Sequence, residues 1–215
     1  LSYSKADEME VSIFGGRTGN IRYARNTVNT SGETNEIRLS VNSVFGKKVG
    51  SSSTNELDDA SLKKVVARAE EIAMLAPENP EYMPMLGPQT YPEAATFSSA
   101  TDKIDPEFRA KLAGDSIEVS SGGDLTAAGY LEDFSGFVAT GNSKGLFGYN
   151  TSTSVDFSIT VRTTDGTGSG YATRDFNDVN LLNSKEVTSI AMQKAQASAN
   201  AQAIEPGKYT VILEP

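Results

Sequence analysis

Val155-Asp156-Phe157-Ser158-Ile159-Thr160-Val161 is the stretch that sets the fold class of this 215-residue chain. Four β-branched or aromatic side chains alternate with three polar ones, the period of two that a half-buried strand requires. The same alternation recurs at Met9, Val11 and Ile13, at Ile21 and Tyr23, and at Ile37, Leu39 and Val41. Gly15-Gly16-Arg17-Thr18-Gly19-Asn20, lying between the first two runs, reads as a hairpin turn because Gly and Asn accept positive φ. Val44 to Val49 reads as one further strand, so the first fifty residues predict an antiparallel meander. Beyond residue 124, strands are expected at Leu125–Leu131, Gly136–Thr140 and Leu146–Ser152, with turns at Gly141–Gly145 and Asp165–Gly170. Tyr209, Val211 and Leu213 suggest a last strand.

Between these runs lie helices. Leu62, Val65, Val66, Ala69, Ile72, Ala73 and Ala76 form one apolar stripe at helical spacing, with Asp58 and Asp59 at the dipole's positive end and Pro77 as the stop. Asp105-Pro106-Glu107 has the form of an N-cap followed by proline in the first turn, with Phe108 and Leu112 on one side of the helix. That helix ends at Gly114 or runs through Ile117 and Val119 as far as Gly122-Gly123. A third, Ala-rich helix follows the Asp165–Gly170 turn, capped by Asn183 with Glu186 three residues on and closed by Glu205-Pro206-Gly207. Residues 77–105 carry Pro77, Pro80, Pro84, Pro88 and Pro92 and read as an ordered excursion with apolar groups to bury; a mobile linker and a Pro-rich ligand are the alternatives. Runs of strands set apart from helices predict an α+β fold, a mostly antiparallel sheet with helices packed on one face.

Composition removes whole classes of chemistry. The chain has no His and no Cys, which excludes Ser-His-Asp and Cys-His triads, His- or Cys-ligated zinc, and disulfides. The net charge of −9 repels phosphate and argues against direct nucleic-acid binding. No stretch approaches the roughly 20 apolar residues of a membrane helix, and no secretory signal is visible at Leu1-Ser2-Tyr3-Ser4-Lys5. Without Cys, a cytoplasmic setting is expected. Leu1 is not an initiator methionine, so the sequence reads as a fragment of a longer chain.

No local motif proposes a catalytic centre. Gly15–Asn20 and Gly166–Gly170 lack the Lys-Ser/Thr of a phosphate loop and the strand-then-helix setting of a dinucleotide site. Arg22, Arg25 and Asn26 are the candidates for a contact with a substrate carboxylate, against a structural ion pair as the plainer reading. The adjacent acidic pairs Asp7-Glu8, Asp58-Asp59, Glu70-Glu71 and Glu132-Asp133 diverge on either a strand or a helix, so none converges on one atom. The sequons Asn29-Thr30-Ser31 and Asn150-Thr151-Ser152 matter only in an exported protein.

Several stretches, taken in order along the chain, resemble the N-terminal region of the TldD/PmbA family, whose members are named as modulators of DNA gyrase or as metallopeptidases. They are Gly16–Asn20 with Arg22 and Ala24-Arg25-Asn26, then Phe45–Gly50, Leu75–Pro80, Asn142–Gly145, Asp165–Gly170 and Pro206–Pro215, the last more like PmbA/TldE members. The resemblance implies that residues 1–215 are the N-terminal domain of a cytoplasmic protein about twice as long. It also implies homodimers or TldD–TldE heterodimers that act on unfolded peptides. Metal-bearing members place an HExxxH helix and a later Cys in the C-terminal half, where two His hold zinc and the Glu activates water. None of those residues has a counterpart here, so catalytic, cofactor and metal residues are expected to be absent from this chain. Zinc would belong to the C-terminal half or to a partner subunit. The rival expectation is a stand-alone binding module, with an extracellular setting open.

Overall fold

A computed structural model describes residues 1–121 and 124–213. Six strands form one antiparallel sheet: β1 (Glu8–Ala24), β2 (Thr27–Phe45), β3 (Lys48–Thr54), β4 (Leu125–Asn142), β5 (Phe147–Thr163) and β6 (Ser169–Phe176). Their spatial order is β3-β2-β1-β4-β5-β6, so two three-stranded meanders join through a central β1–β4 pair. Helices α1 (Asp59–Leu75), α2 (Ser99–Asp102), α3 (Pro106–Ser120) and α4 (Ser184–Ala197) complete the fold, with one 3-10 turn at Val179–Leu181. The helices bury one face, where Ile21, Tyr23, Leu131, Phe157, Ile159 and Val161 pack. The fold is α+β, with an antiparallel sheet and helices on one side, as the alternation predicts.

The helix starts follow their caps. Asp58, Asp105 and Asn183 each accept backbone N–H groups of the first turn, satisfying donors that have no partner inside the helix. The buried stripe of α1 is Val65, Val66, Ala69 and Ala73 with Glu70, whereas Ile72 faces solvent. On α3 the buried side is Arg109, Leu112, Ala113, Ser116 and Ser120, not Phe108, which is exposed; the helix runs through Gly114 and is capped by Ser121. An extension to Gly122-Gly123 lies outside the described residues.

Several expected boundaries move. Gly15–Asn20 is not a turn but the middle of the continuous strand β1. The turn is Arg25-Asn26, both with positive φ (51° and 58°), the two-residue hairpin geometry that matches strand twist. Lys47 and Gly46, with φ 60°, make the β2–β3 turn inside the stretch read as one strand. The expected strands from 125 to 140 fuse into β4, and those from 146 to 161 into β5. β6 stands where the sequence suggested the approach to a helix. Helix α4 stops at Ala197 rather than near Glu205, because Ser198 both accepts from Ser169 N–H and donates to Ser169 C=O at the start of β6. Tyr209, Val211 and Leu213 are exposed and form no strand; alternation alone makes no ladder without a neighbour.

The Pro-rich excursion is ordered by polar ties more than by apolar burial. Met83, Leu86 and Tyr91 are exposed, but Glu8 accepts from Tyr82 Oη–H and Met85 N–H, and Asn142 donates to Leu86 C=O. Residues 95–98 then bond to Thr151, Thr153 and Asn177, covering β5 where β6 has ended.

Candidate functional site: a free strand edge on a buried ion cluster

Strand β3 pairs with β2 only from Leu39 to Phe45. The rest of β2, from Thr27 to Arg38, pairs with β1 on one side and with no described strand on the other. In the two-residue β2–β3 hairpin, Phe45 and Lys48 form the closing pair, so odd-numbered residues of β2 turn their N–H and C=O toward β3. Continued back as far as the bulge at Asn29, that alternation makes Ser31, Glu33, Asn35 and Ile37 present unpaired backbone groups outward. This stretch has no Pro or Lys, the residues that usually blunt such an edge.

One side chain of that edge is anchored inward. Glu33 accepts from Arg109 Nη2 at 3.0 Å and from Arg17 Nη1 at 3.2 Å. Arg109 is fully buried and also binds Asp133, itself 1% exposed, through Nε at 2.5 Å and Nη2 at 3.1 Å. Arg17 donates in addition to Ile104 C=O and Asp102 C=O. Two guanidinium groups and two carboxylates thus neutralise one another, fastening α2 and α3 to the three central strands. Bonds from Arg109 first, then Arg17, lower the Glu33 pKa; the bond to Asp133 chiefly raises that of Arg109. Gly19 makes the arrangement feasible. It stands between Glu33 and Asp133 in register, and a Cβ there would lie 1.7 Å from Arg109 Nη2.

The face without helices carries a second surface. The Phe14 and Phe134 rings stack at 5.7 Å and 5° above the cross-strand pair Gly16 and Gly136. Farther along, Arg22, Tyr130 and Tyr171 surround the small side chains of Ala24, Ala128, Ser158 and Thr160 in a shallow depression of about 540 Å³. Glu132, Asp156 and Asp175 stand in one cross-strand row. Partial burial, then the charges of Asp175 and Glu132, raise the Asp156 pKa.

The three residues singled out from sequence do not form one cluster. Arg22 lies exposed on the open face opposite Tyr130, without an ion pair among the described residues. Arg25 is at the exposed hairpin tip. Asn26 is structural: its N–H donates to Ala127 C=O, and its Oδ1 accepts from Ala127 N–H at 2.9 Å. Sequence reading missed Arg109, Asp133 and Glu33. A buried-facing Arg at the first turn of α3 was the available signal, but its partners lie 24 and 76 residues away.

A long-stranded antiparallel sheet of two meanders, helix-covered on one face only, defines the class of domain. Two family models match the chain: PmbA/TldA metallopeptidase domain 1 over residues 9–73 and the PmbA/TldA metallopeptidase central domain over residues 95–199. The chain belongs to the PmbA/TldD family. Among solved structures it is similar to a candidate modulator of a DNA gyrase from Thermotoga maritima, with TM-score 0.84 and 17% identity, covering 93% of this chain and 46% of that one. TldE from Thermococcus kodakarensis gives TM-score 0.81 at 15% identity, covering 91% and 45%. A candidate DNA-gyrase modulator from Bacteroides thetaiotaomicron gives 0.82 at 15%, covering 95% and 48%. The chain therefore spans just under half the length of these proteins. No curated protein matches it.

The family name raises the question of a metal. This chain has no His or Cys to offer one, and among the described residues no acidic group is arranged to hold one. Its residues do not fit a zinc centre, and no chemical step is assigned to a metal here. No helix of the described residues is long and apolar enough to cross a membrane.

Proposed function

We propose that these residues are the non-catalytic N-terminal half of a longer, cytoplasmic, peptidase-associated protein that works as a dimer or as one member of a TldD–TldE-type pair. The domain walls a peptide-binding cavity and takes an extended, unfolded peptide as an added strand on the free edge of β2. Metal chemistry, where the assembly has any, resides in the other half or in the partner subunit. The observation that carries this reading is the outward row of unpaired backbone groups from Ser31 to Ile37. Main-chain pairing binds an unfolded peptide without demanding its sequence, and anchoring of Glu33 by two arginines holds the edge in place beforehand, reducing the ordering cost of binding.

The test is binding of a fluorescently labelled unfolded peptide to the full-length protein with its partner subunit. Asn35→Pro removes one outward N–H, at an edge position where proline is tolerated, and is expected to weaken binding about tenfold for a loss of roughly 1.4 kcal/mol. Unchanged affinity in a folded Asn35→Pro protein refutes the edge assignment. Peptide cleavage by purified residues 1–215 with added zinc refutes the non-catalytic assignment.

A further inference from the structure

The outer strand edges β6 and β2 are finished differently. On β6 the pairing with β5 turns the backbone groups of Ser169, Tyr171 and Thr173 outward, and side chains of the same domain occupy them. Ser198 Oγ–H donates to Ser169 C=O at 2.8 Å, and its oxygen accepts from Ser169 N–H at 2.9 Å. Lys194 Nζ donates to Tyr171 C=O at 3.0 Å, and Arg174 Nη1 to Thr173 C=O at 2.8 Å. Two cations and the end of α4 thus close that edge, a usual defence against strand addition. On β2, no side chain of the described residues bonds to the backbone of Ser31, Glu33, Asn35 or Ile37.

The side chains of that open edge carry one sign of charge. From Ser31 to Ile37 stand two carboxylates, Glu33 and Glu36, and no cation. Glu33 points to the helix-covered face, where both arginines bond to its Oε2. Its Oε1 has no hydrogen bond among the described residues, and the side chain is 37% exposed. The charges of Arg17, Arg109, Glu33 and Asp133 cancel. The adjoining corner Asp102-Lys103-Ile104-Asp105, held to Arg17 through two carbonyls, adds two acids and one base. Glu36, three residues on, is exposed on the opposite face and has no ion pair among the described residues. Arg38 follows on that face, past the last open backbone group and one residue from Leu39, where pairing with β3 begins.

We infer that this edge selects cationic peptides, and binds best those with Lys or Arg at positions i and i+3. The inference rests on the strand-addition reading proposed above. In an added strand, the residue directly across from Glu33 points to the same face as Glu33, and the residue across from Glu36 to the same face as Glu36. Those two peptide positions are three apart and on opposite faces, whether the strand runs parallel or antiparallel to β2. A cation at one meets the open Oε1 of Glu33, and a cation at the other meets Glu36. Backbone pairing binds without regard to sequence, and the two glutamates make the choice. The spacing separates this selection from a general attraction to a chain of net charge −9, which any arrangement of lysines would feel.

The test uses the full-length protein with its partner subunit and labelled nine-residue peptides of Ser, Thr and Ala. One carries lysine at its fourth and seventh positions, one lysine at its fourth and eighth, one glutamate at its fourth and seventh, and one no charge. The i, i+3 lysine peptide is expected to bind about tenfold tighter than the uncharged one, from about two- to fivefold per matched cross-strand pair. The i, i+4 lysine peptide should fall between them, and the glutamate peptide should bind most weakly. Glu36→Gln, at an exposed site, should remove about two- to fivefold of the i, i+3 lysine advantage. Glu33→Gln, which keeps an acceptor for the arginines, should remove a similar part. Binding that Asn35→Pro weakens, but that ranks the two lysine peptides equally, overturns the selection and leaves strand addition standing. So does a lysine advantage that Glu36→Gln leaves whole. Binding indifferent to Asn35→Pro removes the edge site itself, and this inference with it.

Discussion

Gly19→Ala adds one methyl group and should be among the most damaging small substitutions in this domain. The new carbon would sit 1.7 Å from Arg109 Nη2 and 2.0 Å from Arg109 Cζ, so the guanidinium must leave. It lies under α3 with no exposed surface, and Asp133 is 1% exposed. Displacement leaves the buried Asp133 carboxylate facing Arg17 alone, at 3.7 Å, and breaking a buried pair in this way costs about 3–5 kcal/mol. Typical total stability is about 5–15 kcal/mol, so that is a large share. For a domain of this size the midpoint should fall on the order of 10 °C, at about 2–4 °C per kcal/mol. Urea unfolding by circular dichroism measures the loss directly. Gly32→Ala is the control: it lies on the exposed part of β2, its nearest neighbour would be 3.9 Å away, and its effect should stay within about 0.5 kcal/mol. The acid limb adds a second signature. The fold lowers the Glu33 pKa below its ordinary 4.5, so its contribution is complete above that value and disappears as pH falls through the depressed one. Losing Arg109 should flatten that part of the pH–stability curve. A Gly19→Ala loss below about 1 kcal/mol would refute the claim that the arginine's position depends on the missing side chain.

Two other outcomes follow from the same geometry. Gly50→Ala and Gly170→Ala should each destabilise by about 1–3 kcal/mol through overpacking, because a Cβ there would lie 2.2 Å from Ala73 N of α1 or 2.1 Å from Ala191 O of α4; a loss below about 0.5 kcal/mol in urea unfolding would contradict that close approach. Asp156→Asn should raise the thermal midpoint at pH 7 and leave it nearly unchanged at pH 3. The folded pKa of Asp156 is raised above its ordinary 3.8, so ionisation costs stability as pH climbs through and beyond that value, and the amide escapes the penalty. A midpoint lowered at pH 7 would contradict the repulsion from Asp175 and Glu132.

The misread elements share a cause. Gly15, Gly16 and Gly19 look like turn residues, yet none needs a positive φ; each leaves room for a side chain from elsewhere, Phe137, Phe134 or Arg109. The true turn uses Arg25 and Asn26 and contains no glycine. Gly170 likewise weakened the strand signal of β6, although its role is to let α4 approach. Local statistics record that glycine is permissive but not what fills the space it leaves.

By itself, the sequence determined the alternation at Val155–Val161, the helix caps at Asp105 and Asn183, the acidic start of α1 at Asp58 and Asp59, and the lack of any His or Cys for triad or zinc chemistry. Each is a property of residues within a turn or two of one another, or of the composition as a whole. Tertiary structure alone decided that β1 pairs with β4, that β2 keeps a free edge from Ser31 to Ile37, and that Arg109 meets Glu33 and Asp133. Those outcomes join residues far apart in the chain. A side-chain period says which residues share a face, whereas the neighbour across that face is chosen by how the whole sheet closes its hydrogen bonds and its core.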